Sequence, residues 1–153
     1  MFIKSKLITL FYLFFPLLIG ALVGFIISGN IDYQNLIKPP LAPPKILFPI
    51  MWSIIYLLMG ISYLVLKKNL VDTKYESKVY YLQLFINALW SIIFFVLKWR
   101  LVSVLWIILL DIIVIYMFKL FYKKVKLSAY LNILYIVWIL FATYLTIGIY
   151  ILN

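Results

Sequence analysis

Long apolar runs alternate with short basic clusters along the whole chain. A helix needs about 20 apolar residues to cross the hydrocarbon core of a bilayer. Five runs reach that length: Leu7 to Ser28, Ile46 to Leu66, Val79 to Leu97, Leu101 to Phe118 and Leu127 to Leu152. The first begins after Lys4 and Lys6, as the core of a signal peptide would. Its apolar stretch is too long for that and has no clear small-residue cleavage site, so it reads as a retained helix bent at Pro16. The pattern predicts an all-α integral membrane protein, residues 1–153 forming a single bundle of five transmembrane helices. A proline-rich loop, residues 29–45, joins helices one and two, and the later connections are "KKNLVDTKYESK" and turns around "KWR" and "KKVK".

Composition agrees with that pattern. The chain is 68% hydrophobic and 12% charged, with a mean hydropathy of +1.18, whereas a soluble domain is about half apolar and a quarter charged. There is no cysteine and no histidine, which removes thiolate metal sites, disulfides and every His-dependent catalytic triad. The net charge of +10 comes from 14 Lys and Arg against 4 acids. The basic residues cluster between apolar runs, which is a topology signal and not one for nucleic acid. Lys4, Lys6, Lys67, Lys68, Lys74, Lys78, Lys119, Lys123, Lys124 and Lys126 fall on one side, against Lys38, Lys45, Lys98 and Arg100 on the other. In a bacterial cell membrane this puts the N-terminus in the cytoplasm and the proline-rich loop outside.

Polar groups inside the spans are expensive and therefore informative. Gln83, Asn87 and Trp90 recur at helical spacing on one face of helix three, and Asp111 sits in the apolar fourth span. Asp111 must face the bundle interior, where it either hydrogen-bonds a neighbouring helix or finds a partner or proton. Trp52, Tyr56 and Tyr63 share a face of helix two, and Tyr135, Trp138 and Ala142 share one on helix five. Such stripes serve packing or, with amides on a third helix, an aromatic pocket for a flat apolar ligand. Trp99, Tyr122, Tyr130 and Tyr150 read as interfacial belt residues. Gly20 and Gly24 stand in GxxxG spacing, which allows close helix approach inside the bundle or across a homodimer.

Taken together, "KPPLAPP", "FPIMWSIIYLLMGISYLV", "LQLFINALWSIIFF", "LLD" and "WILFATYLTIGIYILN" resemble the TspO/MBR family from about Lys38 onward. That family comprises bacterial tryptophan-rich sensory proteins and the mitochondrial translocator protein, also called the peripheral benzodiazepine receptor. The resemblance, to a bacterial-type member, implies a five-helix bundle, often dimeric, whose pocket is closed by the first loop. It implies a receptor or sensor whose ligand is protoporphyrin IX, haem or a similar flat molecule, with no covalently bound cofactor. Alternatives within the family are transport, with Asp111 as a proton relay, and light- and oxygen-dependent porphyrin breakdown through Trp52 and Trp138. Trp52 matches the Trp of the family's "PVW" motif, Trp138 the one before "FAT", Asn87 and Trp90 the "LN..W" motif, Asp111 the helix-four aspartate and Ala142 a small pocket residue. Pro43 and Pro44 belong to the loop, whose stiff paired prolines either form a lid or merely punctuate the helices.

The chain departs from the family pattern at several points. Leu41 replaces the loop Trp, so an aromatic wall is expected to be missing. Pro49 stands three residues before Trp52 rather than two, and Thr146 replaces the Asn of "ATxLN". No basic residue follows Tyr144 or Tyr150, which argues against cholesterol.

Overall fold

The computed structural model describes residues 2–69 and 73–153. Met1 and part of the charged linker, Leu70 to Asp72, lie outside the described residues, as do the side chains of residues 2–4, Lys4 among them. The helices are α1 (Phe2–Ile27), α2 (Leu47–Asn69), α3 (Lys74–Ser91), α4 (Arg100–Lys124), α5 (Lys126–Tyr130) and α6 (Ile133–Leu152). Among the described residues five stretches are long and apolar enough to span a membrane, with α5 and α6 together making the last. No strand occurs among the described residues.

Local sequence explains the helix ends. Pro49 falls in the first turn of α2, where its missing N–H had no intrahelical partner to lose. α3 runs on through a π turn, Ile92–Leu97. Lys98 at φ 55° then turns the chain into α4. The apolar run 127–152 is broken at Leu131 and Asn132 because small polar groups there bond elsewhere. Ser62 Oγ donates to the Ser128 carbonyl at 2.7 Å and Ser128 Oγ to the Ser62 carbonyl at 2.8 Å, while Asn132 Nδ2 reaches Ser62 Oγ at 2.7 Å. These contacts stitch α5 to α2 in the way small polar residues hold membrane helices together.

The bundle closes on itself. α1 packs along α2, α2 on α5, α4 on both α6 and α3, and α3 returns to α1. α1 and α2 meet closely at Gly60, which lies against the backbone of Leu13, and at Gly20, which lies against the Tyr56 ring. Of the GxxxG pair, Gly20 therefore packs toward α2, whereas Gly24 has no atom within 4 Å of where a Cβ would stand. Trp99, Tyr122, Tyr130 and Tyr150 are exposed.

The loop over residues 28–46 crosses the end of the bundle as a strap. Its two short 3-10 turns, Ser28–Asn30 and Tyr33–Asn35, precede the proline pairs. Asn153 Oδ1 accepts from the Ile37 N–H at 3.0 Å, and its Nδ2 donates to the Ile37 carbonyl at 2.9 Å. Tyr144 donates to the Pro40 carbonyl at 2.6 Å, and Pro39 rests on Gly148 of α6. On the opposite flank Asp32 pairs with Arg100 at 3.1 Å and Lys98 at 3.5 Å.

Candidate functional site

Beneath the strap lies a cavity of about 730 Å³, inside the range of about 300–1,000 Å³ typical of ligand sites. α1 supplies Leu17, Gly20, Ala21 and Gly24, all small or aliphatic. α2 supplies Phe48, Trp52 and Tyr56 at successive i, i+4 positions, and α3 with its π turn supplies Trp90, Ser91 and Phe95. The strap contributes Ile31, Tyr33, Gln34 and Lys45. Trp52 stacks on Tyr56 with ring centroids 5.4 Å apart and planes at 26°. Trp90 lies edge-on to Phe95 at 6.4 Å. In the π turn bonding runs i to i+5, which carries Phe95 onto the side of Trp90. Gly24 leaves open space, with no atom within 4 Å of where a Cβ would stand.

The polar atoms of this region are mostly committed. Tyr56 donates to Asn87 Oδ1 at 2.8 Å, Asn87 Nδ2 donates to Tyr135 Oη at 2.8 Å, and Tyr135 donates to Gln83 Oε1 at 2.8 Å. This chain of bonds ties α2, α3 and α6 together directly behind the cavity wall. Tyr33 donates to the Pro43 carbonyl at 2.8 Å, and burial pushes its phenol up from its ordinary value. Lys38 is spent on the loop itself, its Nζ reaching the carbonyls of Tyr33 and Leu36, each at 3.1 Å. Lys45 is exposed at the cavity margin; its carbonyl accepts from the Phe48 N–H at 3.3 Å, and its ammonium has no hydrogen bond or ion pair among the described residues.

Of the residues singled out from sequence, Trp52, Tyr56 and Trp90 line the cavity. Gln83, Asn87 and Tyr135 form the network behind Tyr56 and do not line it. Trp138 reaches the cavity only through Phe48, their ring centroids 5.9 Å apart. Ala142 is buried in the cluster of Trp90 and Phe94. Asp111 joins α4 to α6, its Oδ2 accepting from Thr143 Oγ1 at 2.7 Å while Oδ1 is buried without a partner among the described residues. Pro43 and Pro44 shape the strap from outside the lining, and the Pro44 carbonyl receives the Leu47 N–H at 3.0 Å. Leu41 is 86% exposed at φ 66° and lies away from the cavity.

Phe48 and Phe95 were not singled out from sequence. Phe48 stands one turn before Trp52 and extends its stripe, a signal that was available. Phe95 depends on the π turn, which no spacing rule reveals.

Five membrane-length helices around an aromatic cavity, strapped at one end, define a small helical membrane protein with an internal site. The TspO/MBR family pattern matches residues 12–152. The chain is 36% identical over 140 residues to the "Tryptophan-rich protein TspO" of Archaeoglobus fulgidus, covering 90% of this chain and 91% of that protein. It is 32% identical over 126 residues to the protein of the same name from Chlorobaculum tepidum, covering 79% and 78%. It is 31% identical over 150 residues to "Protein CrtK" of Rhodobacter capsulatus, covering 95% and 94%. The chain belongs to the TspO/MBR family. That membership supports a sensor or receptor kind of role for an integral membrane protein.

Proposed function

We propose that this protein binds a flat, apolar, acid-bearing ligand of the tetrapyrrole class in the cavity under the strap. The observation that carries the reading is the wall itself: Phe48, Trp52, Tyr56, Trp90 and Phe95 surround a space of about 730 Å³, with the Lys45 cation at its margin. Aromatic faces stack on a macrocycle with about 0.5–1.5 kcal/mol per pair beyond the area buried. Lys45 supplies the positive charge for a propionate.

The lining favours the metal-free macrocycle, protoporphyrin IX, over haem. Haem iron is held by His, Cys, Met or Tyr. The lining contains none of the first three, and the hydroxyls of Tyr33 and Tyr56 are already donating. Orientation follows from charge: with ten of the fourteen basic residues on the N-terminal side, the N-terminus faces the cytoplasm of a bacterial-type cell membrane. The strap and cavity mouth then face outward.

The test is a dark titration of purified protein with protoporphyrin IX, read by quenching of tryptophan fluorescence. Wild type should saturate, Trp52→Phe should bind about fivefold more weakly, and Gly24→Leu, which fills the open space in the wall, should not bind. Quenching no greater than in empty micelles, or unchanged binding in Gly24→Leu, would overturn the proposal.

A further inference from the structure

A second site stands at the other end of α1 and α2. A groove of about 400 Å³ runs between them, lined by Ser5, Ile8, Thr9 and Tyr12 of α1 and by Leu64, Lys67 and Lys68 of α2. The two lysines form the last turn of α2, and the α1 residues belong to its first turns. The groove therefore lies where the spans meet the membrane surface, at headgroup depth.

Its chemistry has two halves. Lys67 Nζ donates to Thr73 Oγ1 at 2.7 Å and lies 5.7 Å from the centre of the Tyr12 ring, which fixes the ammonium over the groove with N–H bonds to spare. Among the described residues no carboxylate pairs with Lys67 or Lys68, since Asp32 is held by Lys98 and Arg100 and Glu76 by Lys124. The Ser5 side-chain hydroxyl is exposed, while Thr9 Oγ1 donates back to the Ser5 carbonyl at 3.0 Å. Ile8, Leu64 and the Tyr12 ring are the apolar half. They continue onto an outward α1 face that carries Leu7, Leu10 and Phe11, each half-exposed or more.

We propose that this groove binds an anionic phospholipid, its phosphate between Lys67 and Lys68 and its acyl chain along the outward face of α1. Basic pockets between helix ends recognise acidic headgroups in this way, each lysine near the surface strengthening binding by about fivefold. The apolar wall is what selects a lipid over a free phosphate ion, which would gain nothing from Ile8 and Leu64.

The test uses the full chain in detergent, with equal amounts of phosphatidylglycerol and phosphatidylcholine of the same acyl chains, and reads bound lipid by native mass spectrometry. Wild type should retain phosphatidylglycerol preferentially. The exposed Lys68→Gln change should lower that retention about fivefold and Lys67→Gln/Lys68→Gln about 25-fold. Lys123→Gln, an exposed lysine outside the groove, should match wild type. Equal retention of the two lipids, or wild-type retention in the double variant, would overturn the site. A loss in Lys123→Gln as large as in Lys68→Gln would replace it with a diffuse basic surface. Inorganic phosphate raising the melting temperature as much as phosphatidylglycerol does would refute the lipid assignment.

Discussion

The same substitution, glycine to alanine, should act with opposite sign at Gly60, on the α1–α2 contact, and at Gly24, in the cavity wall. At Gly60 an added Cβ would overlap the Leu13 carbonyl oxygen and stand 2.7 Å from its carbon and 3.0 Å from its Cα. All three are backbone atoms of a packed helix and cannot swing aside. Carbon atoms rest at about 3.5–4.0 Å, so α1 must retreat by about 1 Å along part of its length. Overpacking of this kind costs about 1–3 kcal/mol, offset by about 1 kcal/mol because alanine is the better helix former. The expected outcome for Gly60→Ala is a net loss of up to about 2 kcal/mol. At Gly24 the added methyl meets nothing within 4 Å, so the helix-forming gain of about 1 kcal/mol stands alone. A chain of this size shifts by about 2–4 °C per kcal/mol, which separates the two variants by roughly 2–12 °C. Thermal unfolding in one detergent, followed by near-UV circular dichroism, measures the difference. Equal midpoints, or a more stable Gly60→Ala, would refute the close α1–α2 crossing.

The polar interior and the strap give further expectations. Asn87→Leu removes the partner of two buried hydroxyls, Tyr56 and Tyr135, and should cost about 2–4 kcal/mol in the same melt. Thr143→Val strips Asp111 of the only side-chain donor it has among the described residues and should cost about 1–3 kcal/mol, with Thr143→Ser restoring wild-type stability. Asn153→Ala unfastens the strap at Ile37. Because that contact is exposed, the melting point should barely move while tryptic cleavage after Lys45 quickens, as limited proteolysis would record.

Length and hydropathy made the membrane-spanning helices legible, because crossing a bilayer needs a fixed number of apolar residues. Which way each side chain points was far less legible, for a physical reason. Lipid and protein interior are both apolar, so hydropathy does not separate the faces of a membrane helix. Phe48 lines the cavity and Phe85 is 60% exposed, yet nothing in their residue type distinguishes them. Polar residues gave the clearer signal: Gln83, Asn87 and Asp111 are all buried. Their destination was still not readable, since each needs a partner and the nearest lies on a neighbouring helix. Tyr135 and Thr143 meet that need, which holds the amides and the carboxyl behind the wall. The break at Asn132 stayed hidden because it depends on Ser62, 70 positions away along the chain.

The departures from the family pattern take on a different meaning once placed. Leu41 was expected to leave a gap in an aromatic wall, yet it stands at the exposed tip of the strap, so its identity takes nothing from the cavity. Thr146 is 2% exposed and donates to the Ala142 carbonyl one turn back at 2.7 Å, a bond that leaves it behaving as an apolar residue. The aromatic wall and the anchors of the strap therefore fall on separate residues. Phe48, Trp52, Trp90 and Phe95 form the wall, whereas Arg100, Tyr144 and Asn153 hold the strap from outside it. Under the proposed function, changes at those three anchors should alter how fast a ligand enters while leaving the lining residues in place. On the same proposal, changes in the wall should alter which ligand fits while the strap stays fastened.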